Sequence, residues 1–157
     1  MRIPAEPDAR GMRVALVVSR YNDFVTDRLQ AGAMEALRHA GAAEADIEVM
    51  AVPGAYEIPQ VAKAAAATGR YDAVVCLGCL IRGETPHFDY ISAAVSQGIM
   101  TASLDTGVPM SFGVLTTNSA EQALERVEPG PANKGWEAAM AAVEVAMLAR
   151  TLRQDAL

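Results

Sequence analysis

The chain is short of the groups that most often announce a function. Of its 157 residues only Lys63 and Lys134 are lysines, and only His39 and His87 are histidines. The arginines are scattered without a basic run, and the net charge is -6. Phosphodiester backbones are gripped by clustered Lys and Arg, so no nucleic-acid partner is expected. The apolar runs stop at strand length, well short of the roughly 20 residues a membrane helix needs, so no membrane partner is expected either. The first eleven residues, MRIPAEPDARG, carry two prolines and mixed charge and lack the apolar core of a signal peptide. They read as a flexible arm or extended edge segment, 1–11, ahead of a single cytoplasmic domain over 12–157.

Cysteine is nearly as scarce. Cys76 and Cys79 form a C-x-x-C pair, but they lie in a strand-like run and not at a helix start, where a dipole would favour a thiolate. An odd separation in a strand sends the two side chains to opposite faces. They read as buried thiols of no redox role, and no further ligands cluster with them for zinc. No metal is expected.

Apolar residues, by contrast, make up 52% of the chain, which is enough for one well-filled core. Strand-length runs over 13–19, 47–52, 72–79 and 111–117 alternate with helical patterns over 24–40, 56–68 and 87–105. Gly41 and Gly69 stop the first two helices. Ser119 and Gln122 form a capping box for a short helix reaching about Val127. A final helix spans about 136–153, with an apolar stripe of Trp136, Met140, Val143, Met147 and Leu148. Strands apolar on both faces, separated by helices, predict an α/β protein: a three-layer α/β/α, flavodoxin-like sandwich on a four-stranded parallel sheet.

In open α/β sheets ligands bind beyond the carboxyl ends of the strands. There this sequence places SRYN, PGAYEIP, IRGETPH and TNSAEQ. Gly78 and Gly83 have P-loop spacing, yet Glu84 and Thr85 stand where the phosphate-clamping lysine and hydroxyl belong, so a nucleoside triphosphate is not expected. Gly83 lets the backbone approach a ligand. The amides of Glu84 and Thr85 precede a helix without intrahelical acceptors, which makes either an anion-binding end or an ordinary strand-to-helix turn. His87 sits in the first helical turn, where the dipole disfavours imidazolium. It is a proton-transfer group or a solvent-facing cap. His39, in a last turn, reads as structural. Tyr21 either packs on the core or stacks on a flat ring. Glu57 either complements a dipole or binds a ligand, and Asp89 and Glu137 read as helix-start charges.

Phe112 and Arg126 do not fit this end of their own sheet. Phe112 opens the fourth strand, about 15 Å from its carboxyl end at ~3.3 Å per residue. The helix carrying Arg126 runs back antiparallel, which brings Arg126 toward that same lower end. If they serve the site, they serve a neighbouring chain's, and a homo-oligomer follows.

These segments resemble 6,7-dimethyl-8-ribityllumazine synthase, the penultimate enzyme of riboflavin biosynthesis. The resemblance runs through SRYNDFVTDRLQAGA, VPGAYEIP, GCLIRGETPHFDYI, SFGVLTTN, QALERV and NKGWEAA, and covers about 12–150. It implies a cofactor-free condensation of 5-amino-6-(D-ribitylamino)uracil with 3,4-dihydroxy-2-butanone 4-phosphate, giving the lumazine, phosphate and water. It places the pyrimidine on Tyr21, a position usually Phe or Trp in the family. It assigns Ala55, Tyr56 and Glu57 to the ribitylamino-uracil, with Glu57 accepting from ribityl hydroxyls. The backbone of Cys79, Leu80 and Ile81 reads the uracil edge; Cys79 departs mildly from the threonine or other small residue often found there. Glu84 and Thr85 hold phosphate, His87 transfers protons, and Phe112, Arg126 and Lys134 come from the adjacent subunit. The resemblance further implies a homo-pentamer, in some relatives twelve pentamers forming an icosahedral shell, and a functional link to riboflavin synthase. Long insertions between the positions of Arg126 and Lys134 go with isolated pentamers, and this chain has none. A catalytically silent lumazine- or flavin-binding shell protein is the alternative, and a flavodoxin-like electron carrier a more distant one.

Overall fold

Val14–Ser19, the first apolar run, forms β1, and all six of its residues are buried. A strand that must be apolar on both faces belongs inside a sheet covered on both sides. In the computed structural model, which describes residue 3 and residues 6–155, β1 is central in a four-stranded, all-parallel sheet of order β2-β1-β3-β4. The other strands are β2 (Ile47–Val52), β3 (Ala73–Ile81) and β4 (Met110–Thr117). The edge strand β2 is buried only at Ile47 and Val52 and β4 mixes buried with exposed positions, whereas β3 is buried through Cys79.

The helices are α1 (Asp23–His39), α2 (Ile58–Ala67, preceded by a 3-10 turn at Ala55–Glu57), α3 (His87–Thr106), α4 (Ala120–Glu125) and α5 (Lys134–Asp155). One core lies under α1 and α5 and takes Val14, Leu16 and Val18 from β1 with Val75, Leu77 and Cys79 from β3. The other lies under α2 and α3 and takes Ala15 and Val17 with Val74 and Cys76. The period of two in each strand thus fills both layers, and it sends Cys76 and Cys79 to opposite cores as free thiols. This is the three-layer, flavodoxin-like architecture that the strand and helix pattern predicts.

α1 buries Val25, Leu29, Ala33, Ala36 and Leu37, the three-and-four spacing of one helical face. It ends where Gly41 takes φ +99°, a left-handed conformation that suits glycine. Ser119 caps α4 through its Oγ, which accepts from Gln122 N at 3.2 Å. The reciprocal bond is displaced by one residue: Gln122 Oε1 accepts from Asn118 N at 2.7 Å. On α5, Val143 is buried and Trp136, Met140 and Met147 pack against the core, while Leu148 is 37% exposed and lies at the margin of the stripe.

Two expectations need correction. The segment before residue 12 is not uniformly arm-like. Ala9 is fully buried, donates its amide to Ala40 O at 2.8 Å and joins the core with Met12. Residues 1, 2, 4 and 5 of the expected arm lie outside the described residues. Arg126 is also not carried to the lower end of the sheet. α4 has six residues, about 9 Å at ~1.5 Å each. The eight residues of β4 run about 26 Å at ~3.3 Å each.

Candidate active site

The order β2-β1-β3 puts the topological switch between β1 and β3, so the crevice lies at their carboxyl ends. Register opens it further. β1 pairs with β3 only from Ala73 to Leu77, while β3 stays paired with β4 from Val74 through Ile81. Beyond Leu77 the side of β3 that faces β1 has no strand beside it. Successive main-chain amide and carbonyl groups point to alternate sides of a strand. Arg82 N reaches β4, donating to Thr117 O at 2.8 Å. Cys79 O instead accepts from Asn22 Nδ2, beyond β1, at 2.9 Å. The polar groups of Cys79 and Ile81 therefore face the open side, and those of Leu80 face β4. Of the three residues expected to read a ligand by backbone, Ile81 turns its main-chain groups to the open side, Cys79 does so with its carbonyl held by Asn22, and Leu80 has only its half-buried side chain to offer.

The loops around this opening are tied together. Arg20 N donates to Val52 O at 2.8 Å and Tyr21 N to Pro53 O at 3.1 Å, joining the turns after β1 and β2. Asn22, at φ 64°, is the one non-glycine with positive φ among the described residues; asparagine tolerates that region. Tyr21 is 71% exposed, so it does not pack on the core, and its ring face is free. Tyr56 is exposed as well, Ala55 is buried, and Glu57 is half-buried with its carboxylate folded toward Gly54.

After β3 the chain turns through Arg82–Pro86 into α3. The amides of Glu84, Thr85, His87 and Phe88 find no acceptor among the described residues, so four donors gather at the positive end of a 20-residue helix. His87 is exposed at the first position of α3. Nothing of the chain lies within 4 Å of where a Cβ on Gly83 would stand, which leaves room for a ligand at that turn.

Phe112 and Lys134 meet elsewhere, along the free edge of β4, and Arg126 is tied to Lys134 through its main chain. Phe112 and Lys134 line one hollow of about 320 Å³ with Ser111, Gly113 and Glu137. Lys134 N donates to Arg126 O at 2.9 Å. Lys134 Nζ pairs with Glu137 at 2.8 Å, and Arg126 donates a guanidinium proton to Gln122 O at 2.7 Å. On its other side Phe112 lines a second, mostly apolar hollow of about 380 Å³, between α3 and α5, with Ile99, Met100 and Val145. Phe112, Met100 and Val145 are each about half exposed.

Three residues of this region are not singled out by the sequence. Asn22 fixes the β1 loop to β3. Arg82 joins the turn after β4 to the start of α3. Asn133 is 2% exposed and holds the α4–α5 connection: its Nδ2 donates to Arg28 O and Val127 O, and its Oδ1 accepts from Gly135 N and Trp136 N. The Asn-x-Gly at the start of α5 is the N-cap signal that points to it. Burial pushes the Cys79 thiol up to about 11 and the Cys76 thiol to about 12, so neither offers a thiolate near neutral pH. Among the described residues no three His, Cys, Asp or Glu side chains converge to hold a metal.

An open parallel α/β sheet with an uncovered backbone edge, a cluster of unpaired amides and a histidine near the switch point places the chain among α/β proteins with a crevice at the carboxyl ends of the strands. A sequence profile of the family described as 6,7-dimethyl-8-ribityllumazine synthase matches residues 11–150. A 6,7-dimethyl-8-ribityllumazine synthase of Syntrophus aciditrophicus (strain SB) is 56% identical over 144 residues, 92% of this chain and 94% of that protein. One of Desulfatibacillum aliphaticivorans is 51% identical over 145 residues, again 92% and 94%. The chain belongs to the 6,7-dimethyl-8-ribityllumazine synthase family and is an enzyme, a transferase of riboflavin biosynthesis.

Proposed function

We propose that the opening between β1 and β3 holds both substrates of the family's reaction, with a neighbouring chain completing it. The enzyme condenses 5-amino-6-(D-ribitylamino)uracil with 3,4-dihydroxy-2-butanone 4-phosphate to 6,7-dimethyl-8-ribityllumazine, phosphate and water. The pyrimidine stacks on the exposed face of Tyr21 and meets the main chain of Ile81 and of Cys79, whose carbonyl Asn22 already holds. Glu57, with Ala55 and Tyr56, takes the ribityl chain. The phosphate lies against the unpaired amides of Glu84 and Thr85, and His87 stands between the two ligands to move protons during imine formation and phosphate elimination. The single observation that carries this reading is the unpaired stretch of β3 beside four amides without acceptors.

Phe112, Lys134 and Arg126 complete the site of an adjacent subunit. Phe112 stands five positions before Thr117, about 17 Å at ~3.3 Å per residue, which is too far for its ring to cover its own chain's crevice. The edge strand β4 and the mostly apolar hollow between α3 and α5 present an apolar surface to solvent in the single chain, as an interface does. Arg126 then supplies the cation for the phosphate, because the guanidinium of Arg82 in the turn after β3 is held by Asn118 and Asp89, and it stabilises the leaving group. Since the diamine is already a good nucleophile, much of the catalysis is orientation of two bound molecules. The assembly is a homo-pentamer in the cytoplasm, and its product passes to riboflavin synthase. Sedimentation distinguishes five chains from a sixty-chain shell.

Mixing the two substrates with the protein and following lumazine fluorescence against phosphate release tests the reading. Enzyme-dependent formation of the two in equal amounts is expected. Tight lumazine binding without turnover would establish the silent shell protein instead.

A further inference from the structure

Arg82 lies outside the set of residues that the reaction uses, yet one guanidinium makes three contacts, on the turn after β4 and on the first turn of α3. Its Nε donates to Asn118 Oδ1 at 3.1 Å, on the turn after β4. Its Nη1 donates to Asp89 Oδ1 at 3.2 Å, in the first turn of α3. Its Cζ stands 4.5 Å from the centre of the Phe88 ring. The main chain of the same residue bonds Thr117 O. The unpaired amides of Glu84, Thr85, His87 and Phe88 lie between the Arg82 backbone and the Asp89 end of this clamp.

We propose that Arg82 is a positioning residue that sets the start of α3 against the loop after β4, and so aims the phosphate-holding amides and His87. This rests on the reading that those amides hold the phosphorylated substrate. The side chains of Arg82 and Asp89 are 48% and 61% exposed, so their ion pair adds little to folding stability. What the clamp controls is where the turn sits. A planar fork holds two acceptors in fixed, different directions while stacking on a ring; a lysine ammonium is a compact point charge with no such fixed geometry and no flat face to stack. The guanidinium is committed to these partners and is not itself the phosphate ligand. That role stays with the amides and with the neighbour's Arg126.

The test is steady-state kinetics of the assembled enzyme, varying each substrate in turn, with inorganic phosphate as a competing probe. R82A should raise KM for the phosphorylated butanone and weaken phosphate inhibition by about tenfold, roughly the effect of one lost positioning contact, with KM for the pyrimidine within about twofold of wild type. Its melting temperature should stay close to wild type. R82K should recover only part of the loss, N118A should move the same parameter less, and R82A/N118A should be no worse than R82A. Equal rises in both KM values, full rescue by R82K, or no change in R82A would each overturn the proposal. If wild type itself makes no lumazine, the functional reading fails; if wild type turns over and R82A matches it, only the role of Arg82 does.

Discussion

Arg126 and His87 act at different points of the proposed reaction, and their substitutions should differ in size. Arg126 meets a full charge as phosphate departs, and removing such a group typically costs about a hundredfold or more in kcat. His87 moves protons that the departing phosphate and water can also carry. Arg126→Ala is therefore expected to lose more activity than His87→Ala, and steady-state kinetics showing the reverse order would refute that ranking. The cysteines make a separate prediction. Burial raises Cys79 to about 11 and Cys76 to about 12 in the folded chain, against 9.0 ordinarily. Below pH 9 both states hold their protons and the full stability is present. Above it the unfolded chain releases protons first, so stability falls up to about 1.4 kcal/mol per pH unit per thiol until the folded values are reached. Denaturant midpoints at pH 8 and pH 10 should drop more for wild type than for Cys76→Ala. At this scale most candidate residues are legible because they follow strand ends in PGAYEIP and IRGETPH. Asn22 and Arg82 are not, because their work depends on which loop folds beside which.

Elements are the most legible level, since apolar runs of period two and faces of period 3.6 recur along the chain. What escapes the sequence is register: nothing in YDAVVCLGCLI says that β1 stops pairing at Leu77 while β4 continues to Ile81. Length misleads too. The helix after Ser119 stops at Glu125, too short to carry Arg126 to the sheet's lower end. The connection from α4 to α5 is held by Asn133, packed so closely under α1 that a Cβ on Gly32 would collide with its amide. Asn133→Ala would leave Arg28 O and Val127 O short of a donor and the Gly135 and Trp136 amides without an acceptor. With each lost buried bond costing about 1–3 kcal/mol, urea denaturation should show a drop of at least ~2 kcal/mol. A change within ~0.5 kcal/mol would mean that the loop is held by other contacts.

For the whole molecule, the edge of β4 is the surface with the most consequence. Phe112, Met100 and Val145 lie half exposed around a hollow that a single chain leaves open. Val145→Asp would place a charge there and should shift sedimentation toward single chains at micromolar concentration. An unchanged assembly would move the interface elsewhere. The sequence shows this level only indirectly, through Phe112 on the wrong side of its own sheet, because a surface becomes an interface only against its partner's shape. The most direct test of the shared site is co-expression of two inactive variants, Glu57→Ala/His87→Ala and Arg126→Ala. In mixed assemblies of a heterologous ring, about a quarter of the sites should combine an intact crevice with an intact neighbour. Lumazine formation should recover to roughly that fraction of wild type. Mixed assemblies no more active than the two variants alone would contradict the account and confine the site to one chain.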